Sequence, residues 1–382
     1  LGRLSYLTNL HHNWTYALFY VVSELYSSVS IGVLFWQFAN DNVPVAQAKR
    51  FYPLFGQLSS LAPIVAGQCV VRFATGSTFD VTLKVLTGLI VASGMGIFAL
   101  YEASSALIRR ERRLAEQQGS PPEMRPPKAN KPKLGLVDSI RVLGKSKYLG
   151  YLSVLVLSFG LTISLTEVMW KSMVRRQYPD AVDYQRFMGT YSSTLGLTTF
   201  MVIFFGSNLI KHLGWRVGAL ATPVSMSLVA APLFAVVVSG KGAPMAGPGL
   251  KFAVVLGAVQ SILSKATKYA LFDPTTQMAY IPLDEESKVK GKAAIDGLGS
   301  RMGKSGGALL QQGLVLAFGS MLQAAPAVAV IFYAVLGAWV HGVLQLAGLF
   351  EQKTREQGMF LAGSKPSSSQ QFPPLSSSPS QV

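Results

Sequence analysis

YLGYLSVLVLSFGLTISLTEVMW, residues Tyr148–Trp170, is a long and mostly apolar run that contains one charged residue, Glu167. The hydrocarbon core of a bilayer is about 30 Å thick, and an α-helix needs about 20 apolar residues to cross it. The run meets that requirement, and it is longer than the 4–8 residues that are typical of a strand. It therefore predicts a transmembrane helix.

Eight other segments have the same character, and two of them are short and rich in Gly or Ser. No part of the chain shows the alternation that is typical of a β-barrel. The predicted fold class is all-α: a polytopic membrane helix bundle. In chain order, the nine segments are roughly Trp14–Phe38, Leu54–Val71, Val85–Ile108, Tyr148–Trp170, Met188–Ile210, Val217–Val238, Phe252–Phe272, Ser305–Leu322 and Pro326–Leu349, of which the second and eighth are the short ones.

The composition supports a membrane protein with an anionic partner. Only 14% of the 382 residues are charged, whereas soluble domains carry about 25%. The formal net charge of +16 would suggest nucleic acid on a soluble protein. Here the bases lie mostly in loops and at helix ends, so we expect anionic lipid headgroups and an anionic substrate, and no nucleic acid.

The sequence contains no arrangement that indicates an enzyme or a metal site. The single cysteine, Cys69, excludes a disulfide scaffold and a cysteine metal site. The four histidines (His11, His12, His212 and His341) show no ligand spacing beyond the adjacent pair. No Ser/His/Asp or paired-carboxylate arrangement is present, and we predict neither a catalytic activity nor a cofactor.

A basic segment between the third and fourth apolar runs divides the chain. Residues Arg109 to Lys147 are rich in Lys, Arg and Pro, which is typical of a solvated linker on the cytosol-like side of a membrane. We predict an N-terminal bundle remnant (1–108), this linker (109–147), a six-helix bundle (148–350) and a disordered tail (351–382) of low complexity from Ser364. Many carriers join two six-helix halves by such a loop, so we expect three helices to be absent before the first.

Glu24 and Glu167 lie within predicted spans, where a carboxylate is costly and usually faces a cavity or a partner. Glu24 shares a helix face with Tyr20 and Ser27, and it is either a site residue or part of a hydrogen bond between helices. Glu167 lies nearer a helix end and has Lys171 at i+4. It is either a site residue or a surface carboxylate paired with that lysine.

A second feature is the polar block FDPTTQMAYIPLDEESKVKGKAAIDGLGSRMGKSGG, residues Phe272–Gly307. Gly299, Gly303 and Gly307 form a stripe that permits close helix contact. Lys304 opens a helix, and a helix N-terminus that carries a lysine suits phosphate oxygens. The alternative is an interfacial lysine that extends to the membrane surface.

The same block fails as a nucleotide-hydrolase motif. A P-loop needs a glycine five residues before the glycine of Gly303–Ser305, and Leu298 stands there with no strand before it. Lys290 and Lys292 remain as accessory candidates for offsetting phosphate charge.

Several segments resemble the plastid and obligate-intracellular-bacterial ATP/ADP antiporters. They are SELYSSVSIGVLFWQFAN with AKRFYPLFG, LTEVMWKSMVRRQYP, and above all KYALFDPTTQMAYIPLDEESKVKGKAAID with GKSGGALLQQ. The resemblance covers about Trp14 to Leu349, and it does not extend to the mitochondrial ADP/ATP carriers, whose repeated signature is absent.

The resemblance implies twelve helices in two halves, similar to the major facilitator fold, of which about nine are present here. It implies exchange of ATP for ADP across a plastid inner envelope or a bacterial membrane, and with the Ser/Pro-rich tail it suggests a plastid. Glu24 and Glu167 match the family's two functional acids, and Lys304 matches its later base. The family's first-helix lysine has no counterpart, so we expect the chain as given to be incomplete and inactive alone.

The resemblance leaves the coupling open. Glu24 and Glu167 would contact adenine or ribose, or pair with the bases when the site is empty, which favours obligate exchange. The alternatives are a proton-coupled importer of nucleotides or of NAD, and a protein that keeps the fold without transport. The sequence does not determine the oligomeric state.

Overall fold

The computed structural model describes residues 12–29, 34–43, 54–74, 78–117, 136–240, 247–301 and 306–363. Within these ranges the chain is almost wholly helical and forms no strand. The prediction of an all-α polytopic bundle is confirmed. The helices are α1 (Trp14–Val29), α2 (Trp36–Asn42), α3 (Ala62–Phe73), α4 (Phe79–Gln117), α5 (Leu136–Lys145), α6 (Lys147–Gln177), α7 (Ala181–Ser239), α8 (Gly247–Thr267), α9 (Asp273–Met278), α10 (Glu285–Arg301), α11 (Gly307–Phe318) and α12 (Ala325–Gly363).

Two of these helices depart from a simple rod. At Gly214 in α7 the backbone takes φ 82°, a left-handed conformation that glycine adopts without steric cost, and the helix is kinked there. Between α8 and α9, residues Lys268–Phe272 form a π-turn, so a nearly continuous helical rod runs from Gly247 to Met278.

Seven helical segments of the described ranges are long and apolar enough to cross a membrane. Two of the nine predicted segments are not among them. The described part of the first segment consists of α1, which has 16 residues, and of residues 34–38, which contain the start of α2. The eighth is α11, which has 12 residues and ends where Gly319 takes φ 84°. At about 1.5 Å per residue α11 extends about 18 Å, which is too short for a bilayer core. The seven are Leu54–Phe73, Phe79–Glu111, Lys147–Gln177, Ala181–Phe205, Gly214–Ser239, Gly247–Met278 and Ala325–Glu356.

The chain forms two compact units, one of residues 1–62 and 83–126, the other of residues 63–82 and 127–382. In the smaller unit the Phe38 and Tyr101 rings lie 5.2 Å apart, centroid to centroid. Apolar side chains of α1, such as Phe19, are exposed, as suits a surface that faces lipid.

The larger unit is built around α6, which packs against α7, α8, α11 and α12. Its core contains the fully buried side chains of Trp170, Phe332 and Trp339. Phe159 of α6 stacks on Phe272 at 5.4 Å and meets Trp339 edge-on at 6.0 Å. These aromatic contacts fix α6 against α12 and against the π-turn.

One end of this unit is closed by short helices. α10 packs against both α5 and α6, and a Cβ added at Gly291 would lie 2.6 Å from a methyl carbon of Leu149. The Tyr148 hydroxyl donates to the carbonyl of Ala279 at 2.6 Å. Four candidate spans separate α5 from α10, and an even number of crossings brings both helices to the same side of a membrane.

A tight crossing joins α3 to the first half of α7 in the same unit. A Cβ added at Gly67 would lie 2.3 Å from the carbonyl oxygen of Gly189. The Ser193 hydroxyl donates to the carbonyl of Ile64 at 3.2 Å, and Gln68 donates to that hydroxyl at 3.1 Å. Small residues with interhelical hydrogen bonds are typical of helix contacts in membranes.

Candidate functional site

The described structure pairs Glu167 with lysines from two helices. The carboxylate oxygen Oε1 lies 2.9 Å from Nζ of Lys171, one turn along α6, and Oε2 lies 3.3 Å from Nζ of Lys265 on α8. The Glu167 and Lys265 side chains are 26% and 23% exposed, so the pair is largely withdrawn from solvent. Lys171 is the partner of Glu167 expected from sequence. Lys265 is an additional partner, and its ion pair with Glu167 connects α8 to α6.

Aromatic and hydroxyl groups surround the Lys265 ammonium. Its Nζ lies 5.8 Å from the ring centroid of Tyr191 on α7, near enough for a cation–π attraction. The Tyr191 hydroxyl is 2.7 Å from the Ser261 hydroxyl, and its ring lies 4.6 Å from that of Trp170. The Trp170 indole donates to the carbonyl of Val254 at 2.9 Å, which orients the aromatic wall.

A buried polar layer continues from this cluster between α6 and α8. The Gln260 amide donates to Ser264 Oγ at 3.2 Å and to Thr166 Oγ1 at 3.5 Å. All three side chains are fully buried. Buried polar groups are retained when they are hydrogen-bonded, so this layer fixes the register of α8 against α6 and thus the position of Lys265.

The short helix α11 approaches the same face of α6. The Gln311 amide donates to both the hydroxyl and the carbonyl of Ser164, at 2.7 and 2.8 Å. A Cβ added at Gly307 would lie 2.6 Å from the Ser164 hydroxyl, so only glycine permits this approach. Ser164 precedes Glu167 by one turn, and the described beginning of α11 therefore lies beside the carboxylate cluster.

The other residues predicted for the site fall in different places. Lys304 lies outside the described residues. Glu24 is exposed on α1, in the smaller unit. Lys292 donates to Gln277 Oε1 at 2.8 Å, and Lys290 pairs with Glu286 along the α10 surface. Both lysines are exposed on the end layer of the larger unit, and their predicted roles remain predictions.

Sequence reasoning missed Lys265. The signal was available, because the span Gly247–Met278 is apolar and Lys265 lies well within it. A lysine near the centre of a span costs about 2.5–3.5 kcal/mol on insertion and marks a functional site or a paired charge. Its partner could not be deduced, since nothing in the sequence indicates which faces of α6 and α8 meet.

The cluster can bind an anion by replacing one counter-ion with another. Lysine ammonium groups donate charge-assisted hydrogen bonds to carboxylate or phosphate oxygens. Glu167 occupies both Lys171 and Lys265 in the present structure, and a phosphate could take that place without leaving either cation unpaired. No group of His, Cys, Asp and Glu suited to a metal ion occurs within the described ranges.

A polytopic helical bundle whose spans contain such a paired cation cluster is, by class, a membrane transporter. Its family is established by sequence: a family model described as the TLC ATP/ADP transporter matches residues 1–350. The chain belongs to this family. The resemblance seen in its segments is thereby confirmed, as is the prediction of a carrier rather than an enzyme.

Curated relatives agree with this assignment. The chain is 40% identical to ADP,ATP carrier protein 1 of Chlamydia pneumoniae over 380 residues, which is 95% of this chain and 73% of the relative. It is 38% identical to the chloroplastic ADP,ATP carrier protein 2 of Arabidopsis thaliana over 90% of this chain and 56% of the relative. Identity to ADP,ATP carrier protein 3 of Rickettsia prowazekii is 33%, over 90% and 72%. No solved structure matches the chain significantly.

Proposed function

We propose that the protein exchanges ATP for ADP across a membrane. The curated relatives are ADP,ATP carriers, and seven helices of the described ranges can cross a bilayer. The observation that carries the proposal for this chain is the carboxylate of Glu167 held between Lys171 and Lys265. That arrangement supplies cations for a phosphate and an internal anion for the empty state.

The pairing gives a physical reason for exchange. A charge inside a span is costly unless it is paired. While the site is empty, Glu167 pairs with both lysines and offsets one of their two positive charges, and a nucleotide phosphate displaces it when the substrate binds. The carrier therefore reorients readily with a nucleotide in place. Without one, the Glu167 pairs tie α6 to α8 and make the empty carrier reluctant to reorient, which favours one-for-one exchange.

Lys304 and Glu24 complete the proposed site. Lys304 belongs to the segment that leads into α11, whose described beginning is fixed to Ser164. It would add a cation for phosphate. Glu24 would contact adenine or ribose. Alternating access would then be a rocking of one helical half against the other.

The test is uptake of labelled ATP into liposomes that contain the full-length protein and are preloaded with ADP. We expect Lys265→Gln and Lys304→Ala each to lower the exchange rate at least about tenfold, because a hydrogen bond to a charged group contributes about 1.5–3 kcal/mol. Lys251→Gln is the matched control, since Lys251 is an exposed lysine of the same helix α8. This variant should exchange ATP for ADP at the wild-type rate.

Two results would contradict the proposal. If Lys265→Gln and Lys304→Ala both exchange ATP at the wild-type rate, these lysines do not have the roles assigned to them. Equal ATP uptake into empty liposomes under a pH gradient would show net import coupled to protons, which is the competing function within this fold.

We also infer a plastid envelope as the location. Plant relatives are named as chloroplastic, whereas others belong to Chlamydia, so both a plastid and a bacterial membrane suit the family. Immunodetection in purified plastid envelopes, absent from mitochondrial and plasma-membrane fractions, tests the inference.

A further inference from the structure

We propose that Lys268 is a further lysine that contacts the substrate phosphates, and that Asp273 is a second internal anion that those phosphates displace. This inference rests on the proposed function, since it assigns further residues to the same site. It concerns the motif KYALFDPTTQ, Lys268–Gln277, whose charged residues are not part of the Glu167 cluster.

Lys268 is a paired charge within a membrane span. Its Nζ lies 2.7 Å from Oδ2 of Asp273, and the two side chains are 26% and 42% exposed. The same Nζ lies 5.5 Å from the ring centroid of Phe159 and 4.5 Å from that of Tyr269. Two rings and one carboxylate therefore surround the ammonium group, and the exposed side of the carboxylate is open to exchange.

The ion pair depends on the π-turn. Residues five apart in an α-helix lie about 140° apart around the axis and cannot pair. In this turn the backbone N–H of Asp273 donates to the carbonyl of Lys268, five residues back. The wider turn brings both side chains to one face. π-turns of this kind occur frequently at functional sites.

Lys268 is also a neighbour of the first cluster. It follows Lys265 by three residues, a spacing that places two side chains side by side on a helix. Both lysines reach α6, Lys265 through Glu167 and Lys268 over the Phe159 ring. Each has its own internal carboxylate in the present structure.

Two adjacent lysines, each neutralised by a carboxylate, match a ligand with more than one phosphate. Nucleoside di- and triphosphates carry adjacent anionic groups that can contact both ammonium groups at once. Displacing Asp273 as well as Glu167 would leave no cation unpaired, and freeing Asp273 would release the pair that holds the π-turn. A purely structural ion pair would instead stay intact when substrate binds.

The test is equilibrium binding of labelled ATP and ADP to the full-length protein in detergent. Lys268→Gln is expected to weaken ATP binding about tenfold or more, since it removes a charge-assisted hydrogen bond. Asp273→Asn is expected to tighten ATP binding several-fold, because it removes the competing anion. The double variant should bind as weakly as Lys268→Gln, even though it restores a neutral pair. Arg141→Gln is the control, because that arginine pairs with Asp138 on the surface of α5 and belongs to no proposed site.

A structural role predicts a different pattern. If Lys268→Gln and Asp273→Asn weaken binding equally, or if the double variant recovers the wild-type affinity, the pair only supports the fold and the inference is wrong. Unchanged affinity of Lys268→Gln would also overturn it. Failure of the proposed function is distinguishable, because in that case the wild-type protein would not exchange ATP for ADP in preloaded liposomes, whatever its binding affinity.

Discussion

Glu167 shows how a single residue sets the electrostatics of a membrane helix. Its two carboxylate oxygens contact different lysines, Lys171 on its own helix and Lys265 on α8. Removal of one partner from a largely buried pair is far more costly than removal of a pair at a surface. The residue is therefore both a constraint on how α6 meets α8 and a group that a stronger anion can replace.

Asp284 is a residue outside the spans whose charge stabilises a helix end. It precedes α10, and its Oδ2 accepts the backbone N–H of Ser287 at 2.9 Å. This hydrogen bond lowers the pKa of the Asp284 carboxyl. The unfolded carboxyl has its ordinary pKa of about 3.9, so the charged cap stabilises α10 above that pH, and the stabilisation is lost as pH falls through the lowered value.

We predict that protection of the first-turn amides of α10 against hydrogen exchange, corrected for intrinsic rates, decreases as pH falls below about 4. In Asp284→Ala, these first-turn amides should be as weakly protected at neutral pH as those of the wild type are at low pH. Equal protection of wild type and Asp284→Ala at pH 7 would contradict the capping role. The reference is the Asp180 cap of α7, whose carboxylate accepts the N–H groups of Val182 and Asp183 and which Asp284→Ala leaves intact.

At the scale of elements, α8 is positioned by a glycine that faces a tryptophan. A Cβ added at Gly257 would lie 2.2 Å from Cδ1 of Trp170. The indole cannot rotate away freely, because it donates to the carbonyl of Val254 and its ring is fully buried. α8 therefore approaches α6 as closely as a glycine allows, which brings Lys265 within reach of Glu167.

We predict that Gly257→Ala lowers the stability of the protein in detergent by about 1–3 kcal/mol, as overpacking in a dense core does. It should also reduce exchange, since Lys265 would move away from α6. Gly249→Ala on the same helix is the control, because nothing lies within 4 Å of an added Cβ there. A lower thermal unfolding temperature for the control than for Gly257→Ala would contradict the packing argument.

The turn after α9 is held by hydrogen bonds from buried side chains to backbone carbonyl groups. A helix that ends leaves carbonyl groups without partners. Here the Trp215 indole donates to the carbonyl of Thr275 at 2.8 Å, and the Tyr148 hydroxyl donates to that of Ala279 at 2.6 Å. The Thr275 carbonyl also accepts the backbone N–H of Ala279, so the buried donors from α7 and α6 add to the backbone hydrogen bonds of this turn and hold it at the closed end of the unit.

At the scale of the whole molecule, the number of membrane crossings indicates the side of the membrane on which α5 and α10 lie. Three candidate spans separate α5 from the end of α7, and a fourth precedes α10. α5 and α10 should therefore share one side of the membrane, while the end of α7 lies on the other. The basic residues of α5 and α10 then lie on one side of the membrane, as the positive-inside rule expects.

We predict that single cysteines at Lys145 and Val289 react with a membrane-impermeant thiol reagent from the same side, and that one at Ser239 reacts only from the opposite side. All three positions are exposed. The background is Cys69→Ser, which removes the single native cysteine; the parent Cys69→Ser protein should not react. Reaction of the Lys145 and Val289 variants from opposite sides would contradict the parity of the spans.

The sequence predicted the helical class because apolar length is a local property. For the eighth segment, the described helix α11 ends at Gly319, although the apolar run continues beyond it. The residues just before α11 lie outside the described ranges, so this span stays a prediction. For the site, Glu167 and its i+4 partner were predictable because both lie on one helix. Lys265, Tyr191 and the Gln260 layer depend on which helix faces meet, and hydropathy alone does not specify that register.

The π-turn Lys268–Phe272 also determines where this span can change in length. An α-helix that loses one residue rotates everything beyond the deletion by about 100°, which would turn buried side chains toward lipid. The π-turn contains one residue more than an α-turn, so a deletion within it would restore α-helical phase and leave the path of α9 nearly unchanged. It would, however, separate Lys268 from Asp273. Evolution could thus remove the pair in one event while it keeps the helix.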